Sequence, residues 1–279
     1  MALSLTFTRE TDQVLFAGNS YVKEVILNRP QKLNCLNYEM IRQITRNLTS
    51  FENDSSVKLV ILKANGKAFC AGGDVKSVVA SALIAVMGGG AGLSMNTIFR
   101  VVTEKTVFAM PEASIGLYPD VGASYFLSRL PGYFGLTGAQ LNGAEMVACG
   151  LATHFVPSKE NGKERGAKKW IADALNYMHS SSPTSLKIFL RSVREGREQN
   201  IEQCLCREYD VTTHLISLES DFFEGARAKL FDKDNNPVWK PSKLELVSKE
   251  MVDQFFKEID DEDCEPLQLP HRSKIQSKL

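Results

Sequence analysis

The sequence predicts an α/β fold with a helical C-terminal region, and three observations carry that prediction. Two β-forming runs, Tyr21–Leu27 and Val57–Lys63, flank a stretch of helical periodicity. The second run leads into a glycine turn, Phe69-Cys70-Ala71-Gly72-Gly73-Asp74, placed as α/β folds place ligands, near strand ends. The C-terminal third reads as successive amphipathic helices.

The elements follow in order. Tyr21–Leu27 ends at Asn28-Arg29-Pro30, because proline cannot continue a central ladder. A helix starts at about Asn37 and carries Met40, Ile41, Ile44, Leu48 and Phe51 on one face. Val57–Lys63 is too uniformly apolar for a half-exposed strand and reads as buried. Tyr125–Leu130 reads as helical, broken by Pro131-Gly132. Thr137–Gly150 reads as a short helix with Leu141, Met146 and Val147 inward. Lys159–Lys169 is polar and charged, with Gly162 and Gly166, and marks the division into a core, 1–158, and a helical region, 159–279. Trp170, Ile171, Ala174, Leu175 and Met178 form one helical stripe. Ser182-Pro183 is an N-cap followed by proline at the first helical position, with Leu186, Phe189, Leu190 and Val193 as the face and Gly196 as the stop. A third helix from Ile201 carries Cys204, Leu205, Glu208 and Tyr209.

Composition narrows the partners. Lys plus Arg and Asp plus Glu both number 33 among 279 residues, which gives no reason to expect nucleic acid or an anionic surface. The six cysteines are scattered, and the Cys204–Cys206 spacing is neither a zinc nor a thioredoxin motif, so reduced thiols are expected. Residues 77–99 are uncharged and long enough to cross a bilayer, but the glycines inside them, with Ser94, Asn96 and Thr97, argue against a membrane span. The chain finishes Ser277-Lys278-Leu279, a receptor-read peroxisomal address; the expected location is the peroxisome and the expected partner its import receptor. Asn47-Leu48-Thr49 and Asn53-Asp54-Ser55 match glycosylation sequons, which carry nothing without secretion. His154 and His214 pair with no nucleophile, and Cys70 reads as packing.

The stretch Met87–Asp120 concentrates the chemistry. Gly88, Gly89, Gly90 and Gly92 let backbone approach a ligand, and N–H groups so aimed stabilise a developing oxyanion. Glu112 and Asp120, each beside a proline, follow as candidate acid, base or nucleophile. The combination suits a substrate carbonyl that becomes an oxyanion.

Several words in order, Leu27-Asn28-Arg29-Pro30, Phe69–Asp74, Met87–Ser94, Met110–Ala123 and Asp221–Trp239, resemble the crotonase (enoyl-CoA hydratase/isomerase) superfamily, and most nearly its 3-hydroxyisobutyryl-CoA hydrolase branch, plant peroxisomal members included. The resemblance implies a spiral of ββα turns and an acyl-CoA thioester as substrate, with no metal and no cofactor. By motif position the oxyanion donors are the N–H groups of Ala71 and Gly89, and Lys32 and Leu33 match a segment lying against CoA. Glu112 matches the carboxylate that hydratases and hydrolases share, and Asp120 the extra carboxylate of the hydrolase branch. Gly92 stands where a hydratase carries its second catalytic glutamate, which favours hydrolysis over a hydratase or isomerase reaction. The resemblance is compatible with a homo-oligomer.

Two departures accompany it. Only thirteen residues separate Asp74 from Gly88, where relatives carry some tens more, and a second shortening follows Pro157. Loss of a core strand is expected to expose apolar surface and unpaired backbone. It also gives weight to a rival reading: a non-catalytic crotonase-like protein that binds CoA esters or joins active relatives in mixed oligomers.

Overall fold

The computed structural model describes residues 13–74, 89–130, 137–138, 140–157, 169–216, 220–259 and 266–269. The chain divides into two compact units, one ending at Asn96 and the other beginning at Thr97. The division expected between residues 158 and 159 lies outside the described residues, as does the terminal tripeptide.

The first unit is a three-stranded sheet covered by a helix. Strand β1 (Val14–Gly18) pairs antiparallel with β2 (Val22–Leu27), and β2 pairs parallel with β3 (Leu59–Ala64). The connection between the parallel strands is helix α1 (Tyr38–Asn53), as a parallel pair requires. Asn37 caps α1 by accepting the Met40 amide at 2.9 Å, so the helix starts where its periodicity indicates. Val14, Val25, Leu27, Leu36, Met40 and Ile44 form the core, with Ile41, Leu48 and Phe51 packed against it. A short helix, α2 (Gly89–Met95), closes the unit.

Strand β1 is absent from the sequence reading, and β3 corrects it. Leu59, Val60 and Ile61 are exposed rather than buried, because β3 is the last strand of its sheet and no further strand follows it among the described residues. Of the uncharged stretch 77–99, residues 77–88 lie outside the description, and no described helix is long and apolar enough to cross a membrane.

The second unit joins two small two-stranded sheets to a group of helices. Strand β4 (Val101–Val102) pairs parallel with β7 (His154–Phe155), and β5 (Val107–Phe108) antiparallel with β6 (Leu141–Asn142). Leu141 is therefore a strand residue, and helix α4 (Gly143–Ala148) begins only after it, held by a capping box between Asn142 and Glu145. Met146 is buried, whereas Val147 is exposed, contrary to the inward direction read for it.

Helix α3 (Ala123–Phe126) continues as a 3-10 turn, Leu127–Arg129. Helix α5 (Lys169–Ser180) buries Ala174 but leaves Leu175 exposed, so the apolar stripe is only partly covered. Helix α6 (Pro183–Gly196) is capped by Ser182 and buries Leu186, Phe189 and Val193; α7 (Ile201–Leu215) is capped by Asn200. Helix α8 (Asp221–Ala226) and α9 (Lys249–Phe255) complete the order. Helices α6 and α7 both pack on α3, which fixes the segment immediately after Asp120.

Candidate active site

In the first unit the site residues gather around a left-handed turn. Pro30–Lys32 form a 3-10 turn, and Leu33 and Asn34 follow with φ of 51° and 55°. Asn34 is buried and stabilises this otherwise unfavourable backbone: its Oδ1 accepts the Arg29 amide at 2.7 Å, and its Nδ2 donates to the Asn65 and Ala68 carbonyls at 2.9 and 2.8 Å. Lys32 and Leu33 stay exposed. The Leu36 amide donates to the Gly72 carbonyl at 2.9 Å and the Asp74 amide to Leu36 at 2.8 Å, tying this turn to the Cys70–Asp74 segment. The Arg29 guanidinium meets Asp74 at 2.7 Å.

The two proposed oxyanion donors lie in this unit. A Cβ on Gly90 would stand 2.6 Å from the Cys70 carbonyl oxygen, so only glycine lets α2 rest on the segment that holds Ala71. Gly89 opens α2. The Ala71 amide, however, donates to the Leu33 carbonyl at 3.0 Å and would have to exchange that partner to serve a substrate oxygen. Burial pushes the Cys70 thiol up to about 11, which keeps it protonated and in a packing role.

The two carboxyls lie in the second unit. Glu112 opens a 3-10 turn, Glu112–Ile115, that ends at left-handed Gly116, and Leu117 closes back on the Glu112 carbonyl at 3.2 Å. Its Oε2 is buried with no hydrogen-bond partner, and burial pushes the carboxyl up to about 7. A carboxyl balanced there is poised as a base or nucleophile near neutral pH. Asp120 is buried after Leu117 and Tyr118, and Thr212 of α7 donates to its Oδ2 at 3.2 Å. Burial, then the charges of Glu208 and Glu112, hold Asp120 well above the usual carboxylate range. Asp120 thus feels the Glu112 charge, and burial disfavours the charged form of both carboxyls.

Three residues of this environment had no role in the sequence reading. Glu208 and Thr212 stand one turn apart on the buried face of α7, among Cys204, Val211 and Leu215. A carboxylate inside an apolar helical stripe was the available signal. Tyr177 of α5 has a buried hydroxyl without a hydrogen-bond partner, and the Glu112 charge helps push its phenol up. The His154 ring lies tilted against Phe99 and His214 bonds the Lys257 carbonyl, consistent with structural roles.

The chain is thus an α/β protein whose second unit buries two carboxyls, Glu112 and Asp120. Its family follows from comparison with known proteins. The enoyl-CoA hydratase/isomerase model matches residues 22–85, 84–164 and 160–256, and the chain belongs to this family, the crotonases. A 3-hydroxyisobutyryl-CoA hydrolase 1 of Arabidopsis thaliana is 40% identical, covering 94% of this chain and 96% of that one. The small ribosomal subunit protein mS47 of the same plant is 35% identical, covering 93% and 88%. An enoyl-CoA hydratase structure from Rhodobacter sphaeroides aligns at a TM-score of 0.78 with 27% identity, over 88% of this chain and 97% of that one. The hydrolase alignment runs over 363 positions against 279 residues here, so the relative carries internal segments that this chain lacks. The breaks in the family match, near 84–85 and 160–164, fall where the sequence is short.

Proposed function

We propose that this protein hydrolyses a short branched 3-hydroxyacyl-CoA thioester, 3-hydroxyisobutyryl-CoA, to 3-hydroxyisobutyrate and CoA, a step of valine catabolism. The observation that carries the reading is the buried pair in the second unit: Glu112 poised near neutrality with a free Oε2, and Asp120 held well above the usual carboxylate range by burial. The ionised Glu112 attacks the thioester carbonyl or takes a proton from an attacking water. Either route passes through a tetrahedral oxyanion, for which the Ala71 and Gly89 N–H groups are the donors in this reading. Collapse breaks the C–S bond, and the departing thiolate takes up a proton, which Asp120 supplies unless it instead orients the substrate hydroxyl; where Glu112 itself attacked, water then cleaves the resulting anhydride, releasing the acid and restoring the Glu112 carboxyl. Lys32 and Leu33, exposed beside that turn, are the CoA contacts. Import through Ser277-Lys278-Leu279 into the peroxisome, and self-association, belong to the same proposal.

A second reading has its own support. The similarity to a protein named as a ribosomal subunit, together with the exposed β3, favours a non-catalytic CoA-ester-binding protein or a subunit of mixed oligomers. Thiol release from 3-hydroxyisobutyryl-CoA by purified protein, with Glu112→Gln as control, separates the two. Turnover abolished by the substitution supports the hydrolase. A cooperatively melting protein without turnover supports the rival, and a protein with no cooperative melt supports neither. A fluorescent fusion that leaves peroxisomes when the last three residues are removed would support the location; one unaffected by removal would overturn it.

A further inference from the structure

We propose that Glu208 is a positioning residue for Asp120: its carboxyl braces the strained turn that follows Asp120 and so aims the aspartate. The inference rests on the reading of Asp120 as part of the reaction site.

The turn needs a brace. Val121 has φ of 57°, a left-handed conformation that a β-branched side chain resists, and Gly122 follows at 88°. Such a backbone is unfavourable for a side chain and persists only where surrounding contacts impose it. Glu208, 2% exposed, supplies them: Oε2 accepts the Gly122 amide at 2.6 Å and Oε1 the Ser124 amide at 2.8 Å. Its backbone carbonyl accepts the Tyr118 hydroxyl at 3.1 Å, so one residue of α7 holds the chain on both sides of Asp120. Thr212, one turn further, holds the Asp120 carboxyl itself.

Packing alone does not call for this residue type. A buried carboxylate is expensive, and an apolar side chain of similar volume would fill the place at lower cost. Glu208 adds two hydrogen bonds to a strained backbone, and its charge raises Asp120; burial raises the Glu208 carboxyl itself, opposed by the Ser124 and Gly122 amides and by Arg207. Among the described residues, the charged groups that act on Asp120 are Glu208 from α7 and Glu112 from its own segment, and Tyr118 feels Asp120 in turn. Arg207 donates to the Ser124 hydroxyl at 2.7 Å, and its charge acts on Glu208.

Glu208→Gln tests the proposal, because it keeps the shape, loses the charge and turns an NH2 group toward a backbone donor. The expected result is a folded protein whose kcat for thiol release falls at least about tenfold while KM moves less than about twofold. The limb of the pH profile governed by Asp120 shifts to lower pH, since a like charge has been removed. An unchanged kcat and an unmoved profile in a folded variant overturn it. If Glu208→Gln does not melt cooperatively, Glu208→Asp is read instead: it keeps the charge but withdraws the carboxyl by one methylene. A fall in kcat with little change in melting temperature supports the brace, and an unchanged kcat overturns it. Should the wild-type protein release no thiol, or Asp120→Asn keep full activity, the hydrolase reading fails separately. The Asp120 carboxyl titration, followed by carbon NMR in wild-type and Glu208→Gln protein, then decides: a lowered midpoint supports the coupling, and an unmoved one overturns it.

Discussion

Asp221 accepts the Ser182 hydroxyl through its Oδ2 at 2.6 Å, and this pair anchors the turn that carries Glu112. The Ser182 amide donates to the Ala113 carbonyl at 3.0 Å, one residue beyond Glu112, while its hydroxyl also caps α6 by accepting the Ser185 amide at 3.1 Å. The other Asp221 oxygen accepts the Lys240 amide at 3.0 Å. Asp221→Ala would leave a buried hydroxyl and an amide without their acceptor. The expected loss is about 3 kcal/mol of stability, read as a lower urea midpoint at unchanged slope. A midpoint that does not move would show that the anchor is dispensable.

Catalysis by an ionised Glu112 fixes a pH dependence. With the carboxyl pushed up to about 7 by burial, the reactive fraction climbs as pH rises through that value. The rate of thiol release is expected to rise about tenfold per unit on the acid side and to level off above neutrality. A flat profile from pH 5 to 8 would remove Glu112 from the base or nucleophile role.

The same shift has a consequence for stability, with the opposite sense. The folded protein holds the Glu112 proton up to about pH 7, whereas the unfolded chain releases it near the ordinary value of 4.5. Stability from this group is therefore complete below pH 4.5 and lost as pH rises through about 7. Glu112→Gln cannot ionise, so above pH 8 it should be more stable than wild type by up to about 3 kcal/mol. That gain should shrink to nothing near pH 4. Melting temperatures of both proteins across this range check it; a pH-independent difference would contradict the buried, raised carboxyl.

How much of this was legible follows from how far each residue reaches. Helix α1 was readable because its cap, Asn37, and its apolar face lie within sixteen residues of one another, as the helical period demands. Glu112 and Asp120 were readable because the words around them are local. Strand β6 was not: its two residues, Leu141 and Asn142, become a strand only through pairing with Phe108 and Val107, far away in sequence. Glu208 lies 86 and 84 positions from the amides it holds, so its sequence neighbours name the helix but not its task. Tyr177 is hidden for the same reason. The exposure of β3 was unreadable from its own residues, which match a buried strand; what decides it is that, among the described residues, β3 pairs with β2 alone.

That edge yields the last prediction. Leu59, Val60 and Ile61 are 46%, 38% and 37% exposed, and among the described residues β3 pairs on one side only, with β2. An apolar strand with one unpaired row of N–H and C=O groups is a template for another chain. A charge on the edge should therefore block intermolecular pairing without disturbing the β2 ladder. Val60→Lys is expected to change stability by less than about 1 kcal/mol, since the side chain is exposed, and to slow concentration-dependent aggregation several-fold. Light scattering of wild-type and Val60→Lys protein at matched concentrations, alongside their melting curves, measures both effects. Equal aggregation at equal stability would mean that β3 is not the sticking edge, and that its apolar residues are tolerated at the surface singly rather than as a template.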